Sequence, residues 1–219
     1  MIAENILRLQ EELGSAVTLV AVSKTKPQEQ LREAYEAGQI HFGENRIQEM
    51  SEKAAALPQD ICWHMIGHVQ SNKIKYMAPF VYLVHGMDKP KRFKELQKEA
   101  QKHDRRISCL LQVHIAEEDS KFGFDYAEAE TFFQEWQADQ YPHVQLRGLM
   151  GMATLTENTR QIEREFKGLR QFYEQVAQSG TFGESWDTLS MGMSGDYAIA
   201  VDCGSTMVRI GSAIFGARR

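Results

Sequence analysis

Cysteine is scarce in this sequence, and what there is does not cluster. The three residues, Cys62, Cys109 and Cys203, are far apart, odd in number and form no CxxC pair. A disulfide framework and a cysteine-built zinc site are therefore not expected, and a reducing, cytoplasmic compartment fits best. Long apolar runs are missing as well, so no segment reads as a membrane span. The opening stretch MIAENILRLQEE interrupts its apolar positions with acidic residues and does not read as a signal peptide. Charge of one sign nowhere accumulates: 25 Lys+Arg are mixed with 30 Asp+Glu, for a formal net charge of -5. The adjacent arginine pairs Arg105-Arg106 and Arg218-Arg219 are too short for a backbone-binding stripe, so nucleic acid is not an expected partner. No GxGxxG follows the first β-rich run, and Walker A and GxSxG motifs are lacking. His64 and His68 lie four apart in WHMIGH, but no Glu follows His64, so the zinc-binding HExxH pattern is absent.

What is present is a repeated alternation of strand and helix signals. The 219 residues, 42% of them hydrophobic, can bury one substantial core and leave little room for another, so one domain over 1–219 is expected. Eight β-rich runs occur: TLVAVSK (18–24), IHF (40–42), ICWHMI (61–66), VYLVHGM (81–87), RISCLLQVHI (106–115), VQLRGLMGM (144–152), TLSMGM (188–193) and TMVRIG (206–211). Helix signals separate nearly all of them. A first helix is predicted over 2–12, and Pro27 opens one that Gly38 ends. Others are predicted over 46–57, closed by Pro58, and over 90–102. Ser71 suits the cap of a short helix. Asp125 and Glu128 have capping-box spacing and open a helix toward Trp136. Ile162, Phe166, Leu169, Tyr173 and Val176 form an apolar stripe at helical steps. A short helix is predicted around 196–200, and the tail SAIFGARR as a last turn. Eight strands with helical crossovers predict a closed α/β TIM barrel, (β/α)8, with an open doubly wound sheet as the alternative.

In such a barrel, chemistry sits at the carboxyl ends of the strands. Lys24 ends the first run, sharing a face with Val20 and Val22. A buried ammonium there would be a nucleophile for an aldehyde. The segment alone favours the plainer reading, a strand ending at Ser23 with Lys24 and Lys26 solvated. LSMGMSGD sets Ser194 between Gly192 and Gly195 at a strand-to-helix transition, and VRIGSAIFG sets Gly211 and Ser212 at the next. Paired glycine and serine turns on the last two strands suit a phosphate site, although either turn alone is unremarkable. Arg209, between Val208 and Ile210, points into the barrel mouth or out toward a helix. Asn45 either donates to a ligand or caps its own helix. His41, His64, His85 and His114 fall near strand ends and read as ordinary hydrogen-bonded histidines rather than metal ligands.

Seven blocks now stand in order: AVSKTKP (21–27), HFGEN (41–45), WHMIGHVQSNK (63–73), KFG (121–123), RGLMGM (147–152), LSMGMSGD (189–196) and VRIGSAIFG (208–216). Together the chain resembles the pyridoxal phosphate homeostasis protein family, whose barrel is similar to the N-terminal domain of alanine racemase. The resemblance implies pyridoxal 5'-phosphate as cofactor, held as an imine on Lys24. It implies phosphate contacts from Ser194, Gly211 and Ser212, a place for Arg209 at the ring nitrogen, and Asn45 as a pocket residue. It implies no catalytic residue and no metal ligand. An arginine is always protonated, so it would donate to the ring nitrogen and leave it a weaker electron sink. Met152 stands where the racemases have a ring-stacking histidine. The racemases also use a second domain and a partner subunit's tyrosine, neither of which follows Arg219 here. The implied role is a monomeric, non-catalytic regulator of the free cofactor pool, with amino acids and cofactor-requiring enzymes as possible recipients. The alternative is a pyridoxal phosphate enzyme such as a weak amino-acid racemase or lyase. A third is a barrel that binds another phosphorylated ligand non-covalently.

Overall fold

Eight parallel strands run in sequence order around a closed barrel, with β8 hydrogen-bonded back to β1. This is a computed structural model, and it describes residues 1–117 and 122–216. The strands are β1 (Thr18–Val22), β2 (His41–Glu44), β3 (Cys62–Met65), β4 (Leu83–Met87), β5 (Ile107–Gln112), β6 (Val144–Met150), β7 (Thr188–Met193) and β8 (Met207–Ile210). The helices are α1 (Ile2–Leu13), α2 (Gln28–Glu36), α3 (Ile47–Ala56), α4 (Ile74–Met77), α5 (Pro90–Lys102), α6 (Tyr126–Gln134), α7 (Thr159–Gln178), α8 (Tyr197–Asp202) and α9 (Ser212–Phe215). The β1–β8 pairing, Val20 opposite Arg209 among its registers, rules out the open-sheet alternative.

Two apolar layers hold the barrel. The larger lies between sheet and helices, and all five residues of the predicted α7 stripe are buried in it. Each such side chain contributes roughly 1.5–3 kcal/mol. The smaller layer fills the interior with Val20, Leu83, Leu110, Met150 and Met207. Alternation along each strand assigns residues to the two layers. On β2, Phe42 joins the outer core, so His41 and Gly43 turn inward.

Several boundaries differ from the sequence expectation. β1 stops at Val22, because the Lys26 N–H closes a turn onto the Ser23 carbonyl. β5 stops at Gln112, after which Val113 only bridges to Phe124. Ser71 does not cap a helix: it begins a single 3-10 turn whose N-cap is Gln70, with no side-chain cap bond. The Asp125 and Glu128 capping box forms as expected. Lys121 of the KFG block and Ala217, Arg218 and Arg219 of the tail lie outside the described residues. Among the described residues, no helix is long and apolar enough to cross a membrane.

Candidate functional site

A pocket of about 390 Å³ opens at the carboxyl end of the barrel. Lys24, Asn45, Ser194, Arg209, Gly211 and Ser212, all six residues singled out from sequence, line it together. Val22, Ile66, Met152 and Met193 supply its apolar wall.

Lys24 is half-buried in the turn that follows β1. Thr25, next to it, has φ 63, a left-handed conformation in which a β-branched residue is strained. Something must hold that strain, and a buried network does. Lys53 of α3 donates three hydrogen bonds: to the Ser23 carbonyl at 2.8 Å, to Glu44 Oε1 at 2.8 Å and to Glu49 Oε1 at 2.7 Å. An ammonium has three protons, and all are used. Ser23 Oγ donates to Glu44 at 2.6 Å, and the Thr25 N–H donates to Glu49 at 2.6 Å. The backbone on both sides of Lys24 is thus clasped by one ion cluster. Burial pushes the Glu44 carboxyl above the usual carboxylate range, while Lys53 and Ser23 pull it back. Neither Glu44 nor Lys53 stands out in the sequence, where each is one charged residue among many.

Asn45 follows β2. The cap of α3 is Arg46, without a side-chain cap bond, so Asn45 does not cap that helix; it lines the pocket. Gly67 packs against the Asn45 backbone so closely that a Cβ would overlap its carbonyl oxygen. Only glycine fits there.

The opposite wall comes from β7 and β8. Gly192 has φ 98, and a Cβ there would lie 2.6 Å from Ala200 Cβ, so glycine lets α8 fold back tightly after the strand. Asp196 fixes the loop by accepting from the Met193 N–H at 2.6 Å. Ser194 Oγ accepts from the Gly211 N–H at 3.2 Å, so the two loops meet in one polar cradle. Gly211 is the N-cap of α9, whose first amides have no partner within the helix. Lys26 ties this corner to the first loop, donating to the carbonyls of Phe215 and Gly216 at 3.1 and 3.3 Å.

Arg209 points inward and is only 3% exposed. It donates to Ser190 Oγ at 2.5 Å and to the Gly151 carbonyl at 3.0 Å. Asp196 acts on it through space. Burial pulls its pKa down to about 10, which leaves it charged at neutral pH. A guanidinium has five donors, so this cation keeps N–H groups for a pocket ligand.

The family model for the alanine racemase N-terminal domain matches residues 1–219. A pyridoxal phosphate homeostasis protein of Pasteurella multocida (strain Pm70) is 42% identical over 207 residues, covering 93% of this chain and 88% of that one. This chain belongs to the pyridoxal phosphate homeostasis protein family. Two solved structures of PipY of Synechococcus elongatus PCC7942 superpose on it closely. The form without pyridoxal phosphate gives a TM-score of 0.92 at 36% identity, and the form with it bound gives 0.89 at 35%. Each covers 99% of this chain and 100% of its own.

Proposed function

We propose that this chain binds pyridoxal 5'-phosphate and serves the homeostasis of that cofactor, with Lys24 as a reversible covalent tether. The observation that carries the reading is the convergence of an amine, a two-loop polar cradle and a buried guanidinium on one pocket. That donor set fits the group. When bound, the cofactor supplies an aldehyde as electrophile at one end and a phosphate dianion at the other. Lys24 is the nucleophile for the aldehyde. Ser194, Gly211 and Ser212 hold the phosphate with hydroxyls and amides. Arg209 donates to the ring nitrogen and keeps it from taking a proton. Asn45 donates from the side of β2.

Binding without robust catalysis is the favoured mode. Moving a proton on and off an amino-acid carbon takes acid–base groups on both faces of that carbon. The described pocket lining offers lysines, serine hydroxyls and a permanently charged arginine, with the thioether of Met152 against the cavity. A tether that opens again suits delivery to amino acids or to cofactor-requiring enzymes. The reading is of one monomeric, cytoplasmic unit over 1–219, in keeping with three free cysteines, two of them buried.

Borohydride reduction of the cofactor-loaded protein, followed by peptide mass mapping, tests the tether. The adduct is expected on Lys24, and Lys24→Ala is expected to lose the visible absorbance. An adduct on other lysines only would sink the assignment. Interconversion of amino-acid enantiomers that Lys24→Ala abolishes would favour the enzyme reading instead.

A further inference from the structure

An unbroken polar line crosses the barrel interior from the cofactor pocket to the opposite mouth. Arg209 donates to Ser190 Oγ at 2.5 Å, and Ser190 Oγ meets His85 Nδ1 at 3.0 Å. His85 Nε2 meets His64 Nδ1 at 2.9 Å, and His64 Nε2 meets His41 Nδ1 at 2.9 Å. His64 and His85 are fully buried, whereas His41 lines a cleft at the amino end of the barrel. We propose that Ser190, His85, His64 and His41 are positioning residues, a proton-ordered relay that orients Arg209 toward the cofactor pocket and makes that orientation sensitive to the charge on His41. The relay itself is a property of the bare chain; only its bearing on the cofactor rests on the function proposed above.

Donor counting sets the direction. Arg209 can only donate, so Ser190 Oγ must accept from it. Ser190 Oγ keeps one proton to give, and we assign it to His85 Nδ1, the acceptor along this line. A neutral imidazole has one donor and one acceptor. His85 therefore carries its proton on Nε2 and donates to His64 Nδ1. His64 carries its proton on Nε2 and donates to His41 Nδ1. One arginine at the pocket thus fixes the tautomer of two buried rings and the acceptor atom of a third. Burial holds all three rings below the usual histidine range, in agreement with neutral links. In return, the line gives the Arg209 guanidinium a fixed acceptor on the face away from the ligand.

The amino end is where the relay can be disturbed. His41 Nδ1 is occupied as an acceptor. A proton placed there would set two N–H groups against each other and release His64 from its partner. The groups around His41 are His64 from β3, Tyr82 ahead of β4, and Arg147 of β6. Arg147 is neutralised by a two-pronged pair with Asp187 at 3.0 and 2.7 Å. Arg209 is the charge facing His85, and Asp196 acts on Arg209. The relay thus has a permanent cation at its pocket end and one titratable, half-buried ring at the other.

Nitrogen-15 correlation spectra of the histidine rings, taken on cofactor-free protein at neutral pH, read the order directly. His64 and His85 are expected to favour the Nε2–H tautomer by about tenfold or more, the ratio that one unsatisfied buried hydrogen bond sets. Ser190→Ala is expected to mix the His85 tautomers. In cofactor-loaded protein, acidification is expected to move the visible absorbance in step with the His41 titration. His41→Gln, which keeps an acceptor for His64 but does not titrate, is expected to remove that step. A Nδ1–H tautomer or an imidazolium at His64 or His85 in the unaltered protein overturns the proposal, as does an unchanged absorbance step in His41→Gln. Loss of the Lys24 tether would leave the tautomers untouched, so the two readings fail separately.

Discussion

Strand β2 carries two polar side chains that face opposite ways, and the barrel accommodates them by opposite means. Glu44 looks outward into the space under α3, where an ion cluster surrounds it. His41 looks inward and ends a line of neutral rings. On the outer side a lysine has three protons and meets three acceptors, so full charge is sustained at a buried site. On the inner side His64 and His85 each meet one neighbour before and one after, which suits a group with a single donor and a single acceptor. Charge is kept where the geometry is three-dimensional and removed where it is linear. The outer cluster grips backbone and sets where Lys24 stands; the inner line grips a side chain and sets how Arg209 is turned.

The comparison breaks most sharply at Lys53. Lys53→Met leaves Glu44 buried without its cation and frees the Ser23 carbonyl, and is expected to lower stability by about 3–5 kcal/mol in urea unfolding. The next effect is acid. His64 and His85 are neutral in the fold with lowered pKa values, so the unfolded chain takes up protons first. Their contribution is present above the unfolded histidine value of about 6.5 and is lost as pH falls below it, at roughly 2–3 kcal/mol per pH unit for the pair. Thermal unfolding across that range measures the slope, and a flat profile would mean that the rings are already charged in the fold. Glu44 acts with the opposite sign. Its carboxyl is raised, so its own contribution to stability grows as pH falls through the window above the unfolded carboxylate value. Glu44→Gln is expected to cost about 1–2 kcal/mol through a weakened Lys53 contact and to remove that opposing trend from the pH profile. The smallest change is Thr25→Gly. It relieves a left-handed threonine but loosens the unfolded chain, so stability is expected to move by no more than about 1 kcal/mol while the Lys24 turn keeps its shape.

Much of this architecture was legible in the residues. β runs and helix stripes alternate eight times, and α5 and β7 begin and end where their prolines, glycines and alternation place them. The six expected site residues line one pocket because each stands at a strand end, where the chain must leave the barrel. The end of β1 was not legible. Its turn is set by Lys53 and Glu49, which reach it only after α3 has packed. The relay left a trace that went unused: a histidine recurs in three consecutive predicted strands, at 41, 64 and 85. Read one at a time, these residues are ordinary. Their common inward face becomes visible only when the strand registers are known, as with Gly43 opposite His64 and His64 opposite Leu83.

The hydrogen bonds from Lys26 to the carbonyls of Phe215 and Gly216 join loops 189 and 190 positions apart in sequence. Their meeting point is also the seam where β1 pairs with β8. Such distant pairings form late, because the intervening chain must be ordered before its ends can meet. The pocket therefore comes into being only as the ring of strands closes. A chain still emerging from the ribosome carries Lys24 long before Arg209. Under the proposed function, ligand capture at this seam would then report that the ring of strands has closed.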